Sequence, residues 1–436
     1  MFRNLTKSIQ NWKKPLLEFL SGQSGLQVIN MATGFFLLRW MSVEHYAQFG
    51  VAFAFQATLT MLSDLGFSSA ILALAGERSK QPEVLGRYLK SAIRFRTLLF
   101  VIAGCSFALL FPFITAGQPW SPKSKALILG SILCSVAVQG WMMYQAPLLT
   151  HRRIASFYRP QIVSSGIRLA ASWLLHLLSG LSGVAASWVS TLTLAISSRW
   201  IKSLGAPLVS KPEKCAPEAN REMLRYLAPL MPGVAFSALQ SQILIAIITI
   251  FGSTQSIAEV SALGRLGQLF AVLNAFNGAI IAPYFSALPG IRLHSMYFKI
   301  VAAAAVVGGT LTLLSFLFPQ PLLWLLGPKY ADLENAIGWM VLASCLSYLG
   351  SVMWSIHSAR KWIFWWGTAV YIGLLLVTQV SSAAFLDLSS TMGVIYFGVA
   401  TSMAIMVVHL CTATYGLTRP ITKSPEKAQD NTPRPL

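Results

Sequence analysis

The chain has 436 residues, 55% of them hydrophobic and 11% charged, with a net charge of +19. A soluble domain carries about 25% charged residues, so this composition, with a mean hydropathy of +0.61, excludes a water-soluble globular protein and points to a polytopic membrane protein. The surplus of Lys and Arg does not indicate nucleic acid, because these charges sit in short loops between apolar segments, where they act as topology determinants.

Cys105, Cys134, Cys215, Cys345 and Cys411 show no paired spacing, which indicates neither a disulfide framework nor a metal site. The N-terminal stretch MFRNLTKSIQNWKKPLLEFL has no short apolar core followed by a cleavage site. It reads as a basic, amphipathic lead-in to a retained first helix.

Windows of about 20 apolar residues predict twelve membrane spans near 17–38, 46–75, 93–116, 125–149, 159–178, 183–204, 224–251, 257–287, 299–318, 335–356, 362–385 and 390–415. The loops support this count. Of 33 Lys and Arg, four (Arg39, Lys123, Lys125 and Lys329) lie in or at the edge of odd-numbered gaps and two (Arg168 and Arg265) deep within spans, which leaves 27 in the tails and in or within about five residues of the even-numbered gaps. By the positive-inside rule both termini are expected in the cytoplasm.

Span one places Gln23, Gln27, Asn30 and Gly34 on one helical face. This stripe fits either a cavity lining or hydrogen bonding between helices, the latter worth about 0.6 kcal/mol per bond. Span two carries Asp64 in LSDLGFSSA, with Thr60 and Ser68 on its face. Asp64 is read either as an ion-coupling or counter-ion site or as a capping aspartate where Gly66 loosens the helix.

Span five, QIVSSGIRLAASWLLHLL, holds Arg168 near its middle. At about 100° per residue, Gln161, Ser164, Ser165, Arg168 and Ser172 share one side; Ile162, Leu169, Trp173, Leu174 and Leu177 take the others. A charge at bilayer depth costs at least ~2.5–3.5 kcal/mol on insertion scales, so it normally faces a protein interior or a wet cavity. Arg168 is expected about 12 Å above the cytoplasmic end of its span.

The hydrophilic stretch after span six divides the chain into an N-terminal six-helix lobe (1–204), a cytoplasmic linker (205–223), a C-terminal six-helix lobe (224–416) and a polar, proline-rich tail (417–436) expected to be disordered. Span eight carries Arg265, with Ser261 and Gln268 on its face and Asn274 and Asn277 opposite. Arg265 is expected in the outer half of its span, about 12 Å below the outer end, either handling substrate or held by Glu259 or backbone carbonyls. Pro283 offers a place for this helix to bend. Pro147, Pro229, Pro232 and Gly233 add further sites for discontinuous helices of the kind transporters use.

No phosphate loop, HExxH, GxSxG or carboxylate pair is present, so an enzyme is disfavoured and no cofactor is indicated. The stretches SGLQVINMATGFFLLRWMSVEHYAQFGVAFAFQATLTMLSDLGFSSAI, LRYLAPLMPGVAFSALQSQILIAIITIFG and ALGRLGQLFAVLNAFNGAIIAPYFSAL are similar to the polysaccharide transporters of the MOP (MATE-like) superfamily, which include Wzx-type O-antigen flippases. The resemblance implies an all-α polytopic membrane protein with twelve transmembrane helices in two six-helix lobes around a central cavity. It further implies translocation of an undecaprenyl-diphosphate-linked oligosaccharide across the bacterial inner membrane, for O-antigen or exopolysaccharide synthesis. Glycosyltransferases and a polysaccharide polymerase are the partners this role suggests.

In that setting Arg168 and Arg265 are candidate phosphate contacts at two successive stations. Gln23, Gln27, Asn30 and Gln240 are candidate contacts for sugar hydroxyls. A cation-coupled multidrug-type exporter of the same superfamily is the alternative, although its members favour acidic cavities and Asp64 is the one clearly intramembrane acid. A membrane glycan polymerase or ligase is a third class, disfavoured by the short, nearly uncharged outer loops.

Overall fold

The computed structural model describes residues 2–75, 81–151, 153–210, 217–228, 231–268 and 290–418 apart from 361 and 363, with isolated residues between 270 and 285. Among the described residues every regular element is helical. Cys215, Pro229 and Pro283 and the tail from 419 lie outside them.

In chain order the helices are α1 (Phe2–Trp40), α2 (Val43–Asp64), α3 (Phe67–Ala75), α4 (Pro82–Ile114), α5 (Pro122–Gln139), α6 (Gln145–Thr150), α7 (Ile154–Ser179) and α8 (Gly183–Gly205). There follow α9 (Pro217–Leu227), α10 (Met231–Gln240), α11 (Ile243–Phe251), α12 (Thr254–Gly264), α13 (Gly290–Leu317), α14 (Gln320–Leu326), α15 (Glu334–Ala359), α16 (Trp365–Phe385) and α17 (Thr391–Thr418). Seven stretches are long and apolar enough to cross a bilayer unaided, and α10 with α11, bent by 50° at Ser241–Gln242, make an eighth. The remaining predicted spans (α1, α2–α3, α8 and the one begun by α12) are rich in Gly, Ser, Thr and Gln. Such residues suit helices packed on protein rather than on lipid.

Short loops set the helix starts at the face where the sequence carries few charges. Ser42, Ser121, Ser182 and Ser253 each cap a helix there, accepting a backbone N–H three residues on, which satisfies donors that a helix start leaves open.

In the N-terminal lobe α7 lies between α1 and α8, and α2 packs on α4, α5 and α8; in the C-terminal lobe α15 lies between α13 and α17, with α16 on α17. The seam between lobes is α2, which also packs on α10, α11 and α12. At Gly50 a Cβ would meet Ser261 Oγ at 2.3 Å and Ser261 Cβ at 2.8 Å, so α2 and α12 leave no room there for a side chain.

Hydrogen bonds seal the lobes at the charge-poor face. Gln118 donates to the carbonyls of Thr249 and Gly252, both at 3.1 Å, and accepts from Thr254 at 3.0 Å. Lys329 donates to the carbonyls of Arg39 and Met41, and Arg39 donates to the carbonyl of Trp324 and lies over its ring. Behind them Tyr46 and Tyr330 meet edge to face. The molecule is closed on this side.

At the opposite end, the amphipathic α9 straddles the expected linker boundary at 223/224. It docks on the N-terminal lobe through Ala219, Met223 and Leu227, which pack with Phe67, Ile71, Leu85 and Met143. Tyr88 Oη donates to Glu222 at 2.6 Å.

Candidate functional site

Arg265 follows the last residue of α12, where the helix tightens into a 3-10 turn over Arg265–Gln268. The change of helical pitch in span eight therefore falls at the arginine itself. Its side chain is 8% exposed and donates from Nε to Tyr46 Oη at 3.0 Å. Its guanidinium carbon lies 5.0 Å from the Phe53 ring and 5.6 Å from the Phe49 ring, within the range of cation–π attraction. On the other side it lies against α1 at Gly34, where a Cβ would stand 3.4 Å from both Cδ and Nη1.

Arg168 comes from α7 and meets the same helix. Its Nη2 donates to Asn30 Oδ1 at 2.7 Å, and Ser165 Oγ donates to the same oxygen at 3.2 Å. Its Nε is buried with no hydrogen-bond partner. The predicted polar face holds: Ser164 and Ser172 are buried while Trp173, Leu174 and Leu177 are more than half exposed, as lipid-facing residues are.

The expected levels of the two arginines do not hold. Arg168 lies eleven residues before the end of α7 at Ser179, and Arg265 eleven after the start of α12 at Thr254. Each is thus about 16 Å from the charge-poor end of its helix at 1.5 Å per residue. Arg168 stands fourteen residues, about 21 Å, above the start of α7 because that helix begins at Ile154, five residues before the predicted span, and Arg265 is deeper than expected because α12 begins at Thr254, three residues before its predicted span. Asn30 and Gly34, the docking points on α1, are one turn apart. The two positive charges lie close enough to repel one another.

Neither guanidinium is paired with a carboxylate among the described residues. Glu259, the acid expected near Arg265, instead accepts from Gln255 and Thr391. Two arginines from opposite lobes, neither paired with a carboxylate among the described residues, thus dock on one face of α1. Their planar, multi-donor heads match phosphate oxygens.

The other predicted residues divide. Gln23 accepts from Tyr158 Oη at 3.1 Å and Asn30 from Arg168, so these members of the α1 stripe bond between helices; Gln27 is partly exposed beside them. Gln240 stands at the break between α10 and α11, in a reciprocal amide pair with Gln379 of α16. Asp64 ends α2, beside Leu65 and Gly66 with positive φ, and accepts from the Ser68 amide at 3.2 Å and hydroxyl at 2.6 Å. It caps α3 and lies in the field of Arg96.

Arg96 was counted with the loop charges, but it is a 6% exposed residue of α4 that donates to the carbonyl of Val136. Tyr46 and Gln118 gave no sequence signal either: a tyrosine near a helix start and a loop glutamine look the same whether or not they bridge lobes. Among the described residues no three His, Cys, Asp or Glu side chains gather as a metal site would require.

No family model and no curated protein matches the chain. Solved structures do match. An inward-facing multidrug resistance MATE family transporter of the MOP superfamily aligns at 14% identity with a TM-score of 0.68, covering 90% of this chain and 93% of that one. The lipid II flippase MurJ in an inward closed conformation aligns at 15% identity and 0.64, covering 92% and 88%. The eukaryotic MATE transporter AtDTX14 aligns at 13% identity and 0.59, covering 95% and 96%. The chain therefore has the all-helical fold of these membrane transporters.

Proposed function

We propose that this protein flips an undecaprenyl-diphosphate-linked oligosaccharide across the bacterial inner membrane, for O-antigen or exopolysaccharide synthesis. The observation that carries the reading is the meeting of Arg168 and Arg265 on α1, from opposite lobes, with no carboxylate bound to either among the described residues. Moving a diphosphate through ~30 Å of hydrocarbon without a partner is prohibitive. Two arginine forks offset that cost, and the anion in turn relieves their mutual repulsion.

On this reading the headgroup enters from the charge-rich, cytoplasmic face and binds both arginines together. It leaves when the seam at Gly50–Ser261 and the Gln118 clasp open. The lipid tail stays in the bilayer, and Gln23, Gln27 and Asn30 on α1 offer amides to the sugars; Gln240 joins them once its pair with Gln379 parts. Asp64 serves as counter-ion to Arg96 rather than as the coupling site. A glycosyltransferase would supply the substrate, and a polymerase would consume it.

The fold alone fits a cation-coupled multidrug exporter equally well, but an exporter of cations needs an acidic cavity, and the central charges here are positive. The test is a flipping assay in liposomes with defined lipid-linked oligosaccharides. Arg168→Ala abolishes transport, and Arg168→Lys retains it if a simple positive charge suffices. Unchanged flipping in both Arg168→Ala and Arg265→Ala at normal protein levels, or transport of tetraphenylphosphonium in place of the glycan lipid, overturns the proposal.

A further inference from the structure

The C-terminal lobe holds a cavity of about 580 Å³ at the charge-poor face, between the end of α13 and the starts of α15 and α17. Ligand pockets typically measure about 300–1,000 Å³. Phe316, Trp339, Tyr396 and Met392 form its walls, and Glu334 and Asn335, in the first turn of α15, bring its polar groups. We infer that this cavity binds neutral pyranose sugar rings.

The rings are held in place. Trp339 meets Phe316 at 5.6 Å and 89°, and Tyr396 at 5.3 Å and 81°, the edge-to-face geometry aromatic quadrupoles favour. Phe316 can lie there because residue 338 is glycine: a Cβ at Gly338 would fall 2.3 Å from its ring. Membrane-interface tryptophans commonly serve as lipid anchors, and Trp324, 71% exposed, has that character. Trp339 is partly buried between Phe316 and Tyr396, which are 45% and 37% exposed, and it shares its cavity with the Glu334 carboxylate.

A sugar offers weakly positive C–H faces to the negative faces of aromatic rings, and hydroxyls to groups that accept and donate. Glu334 accepts, and the Asn335 amide does both. Gln320 donates to the Glu334 carboxylate at 3.5 Å and helps to orient it. A quaternary ammonium would use the rings and the carboxylate but leave the Asn335 amide idle, so the polar set favours a polyhydroxyl ligand. The site's role rests on the proposed function: it would receive the glycan's sugars on the side where they emerge, about a helix half-length from the arginines. Binding itself does not depend on that reading.

The experiment is saturation-transfer NMR on the full chain in nanodiscs, with cellobiose, maltose and N,N′-diacetylchitobiose as probes, tetramethylammonium as the cationic control, and pyrophosphate binding followed by calorimetry. At least one disaccharide is expected to bind saturably. Trp339→Leu and Glu334→Gln should each weaken it by about tenfold or more while leaving pyrophosphate binding unchanged, and Arg168→Ala should do the reverse. Should Trp339→Leu fail to fold, Glu334→Gln and Asn335→Ala, both at exposed positions, carry the test. Absence of binding by all three sugars, binding unaffected by the variants, or binding of tetramethylammonium alone overturns the inference. Sugar binding without pyrophosphate binding would overturn the flippase reading and leave this site standing.

Discussion

Arg168 and Arg265 reach α1 from opposite lobes and dock one helical turn apart, on Asn30 and against Gly34. Charges of one sign brought to one level resist closure of the lobes unless something neutralises them. That makes α1 the place where the state of the site is read.

Asn30→Asp tests this directly. A carboxylate in place of the amide pairs with Arg168 and removes an uncompensated charge from the interior, so thermal stability should rise. The same change occupies the guanidinium, so pyrophosphate affinity should fall by about tenfold or more, ~1.4 kcal/mol. Asn30→Leu leaves Arg168 without its acceptor and should destabilise by roughly 1.5–3 kcal/mol, the worth of a hydrogen bond to a charged group. Melting curves and calorimetry on the two variants read both effects. Unchanged pyrophosphate affinity in Asn30→Asp would remove Arg168 from the anion site.

Much of this site was legible in the sequence because apolar and polar residues sort by helical angle. The stripe from Gln161 to Ser172 and the stripe from Gln23 to Gly34 are the two faces that meet. Depth was not legible. Hydropathy locates the apolar part of a helix, whereas α7 starts earlier, among Arg153 and Arg159, and α12 starts at Thr254, so each arginine stands deeper from its helix start than the apolar windows place it. The bend at Ser241–Gln242 carries no proline or glycine and so no sequence signal, whereas the break at Leu65–Gly66 was legible in Asp64 and Gly66. The docking of α9 on the N-terminal lobe depends on contacts far apart in the chain, which periodicity cannot supply.

At the Leu65–Gly66 break Gly66 has φ +92°, and a Cβ there would stand 3.3 Å from Leu227 Cδ2 of α9. Left-handed backbone costs a residue with a Cβ roughly 1–2 kcal/mol. Gly66→Ala should lower the melting temperature and loosen α9, seen as faster proteolysis of the segment between α8 and α9. Proteolysis at the parental rate would mean that α9 is held without help from this turn.

Gly50 sets the approach of the lobes. Gly50→Val places carbons where Ser261 Oγ and Cβ already stand, and both neighbours belong to packed helices that yield little. The variant should fold but hold the charge-poor face open, lengthening the distance between spin labels at Lys123→Cys and Asp332→Cys. Ser261→Gly removes the opposing atoms and should restore closure in the double variant. Failure of that rescue would place the fault in α2 itself rather than in the seam.

The Gln118 clasp is the polar counterpart of that seam. One loop side chain of the N-terminal lobe makes three hydrogen bonds to α11, α12 and the turn between them. At about 0.5–1.5 kcal/mol each, their loss in Gln118→Ala should shift the balance between closed and open by roughly 1.5–4.5 kcal/mol, tenfold to a thousandfold in population. Gln118→Glu should be worse, because a carboxylate can still accept from Thr254 but sets negative charge against the carbonyls of Thr249 and Gly252. Maleimide labelling of Gln255→Cys from the charge-poor side gives the measure: faster in Gln118→Ala than in the parent, and faster still in Gln118→Glu. If Gln118→Glu labels no faster than the parent, the donated bonds do not hold the gate, and closure rests on Gly50–Ser261 and the Arg39–Lys329 contacts instead.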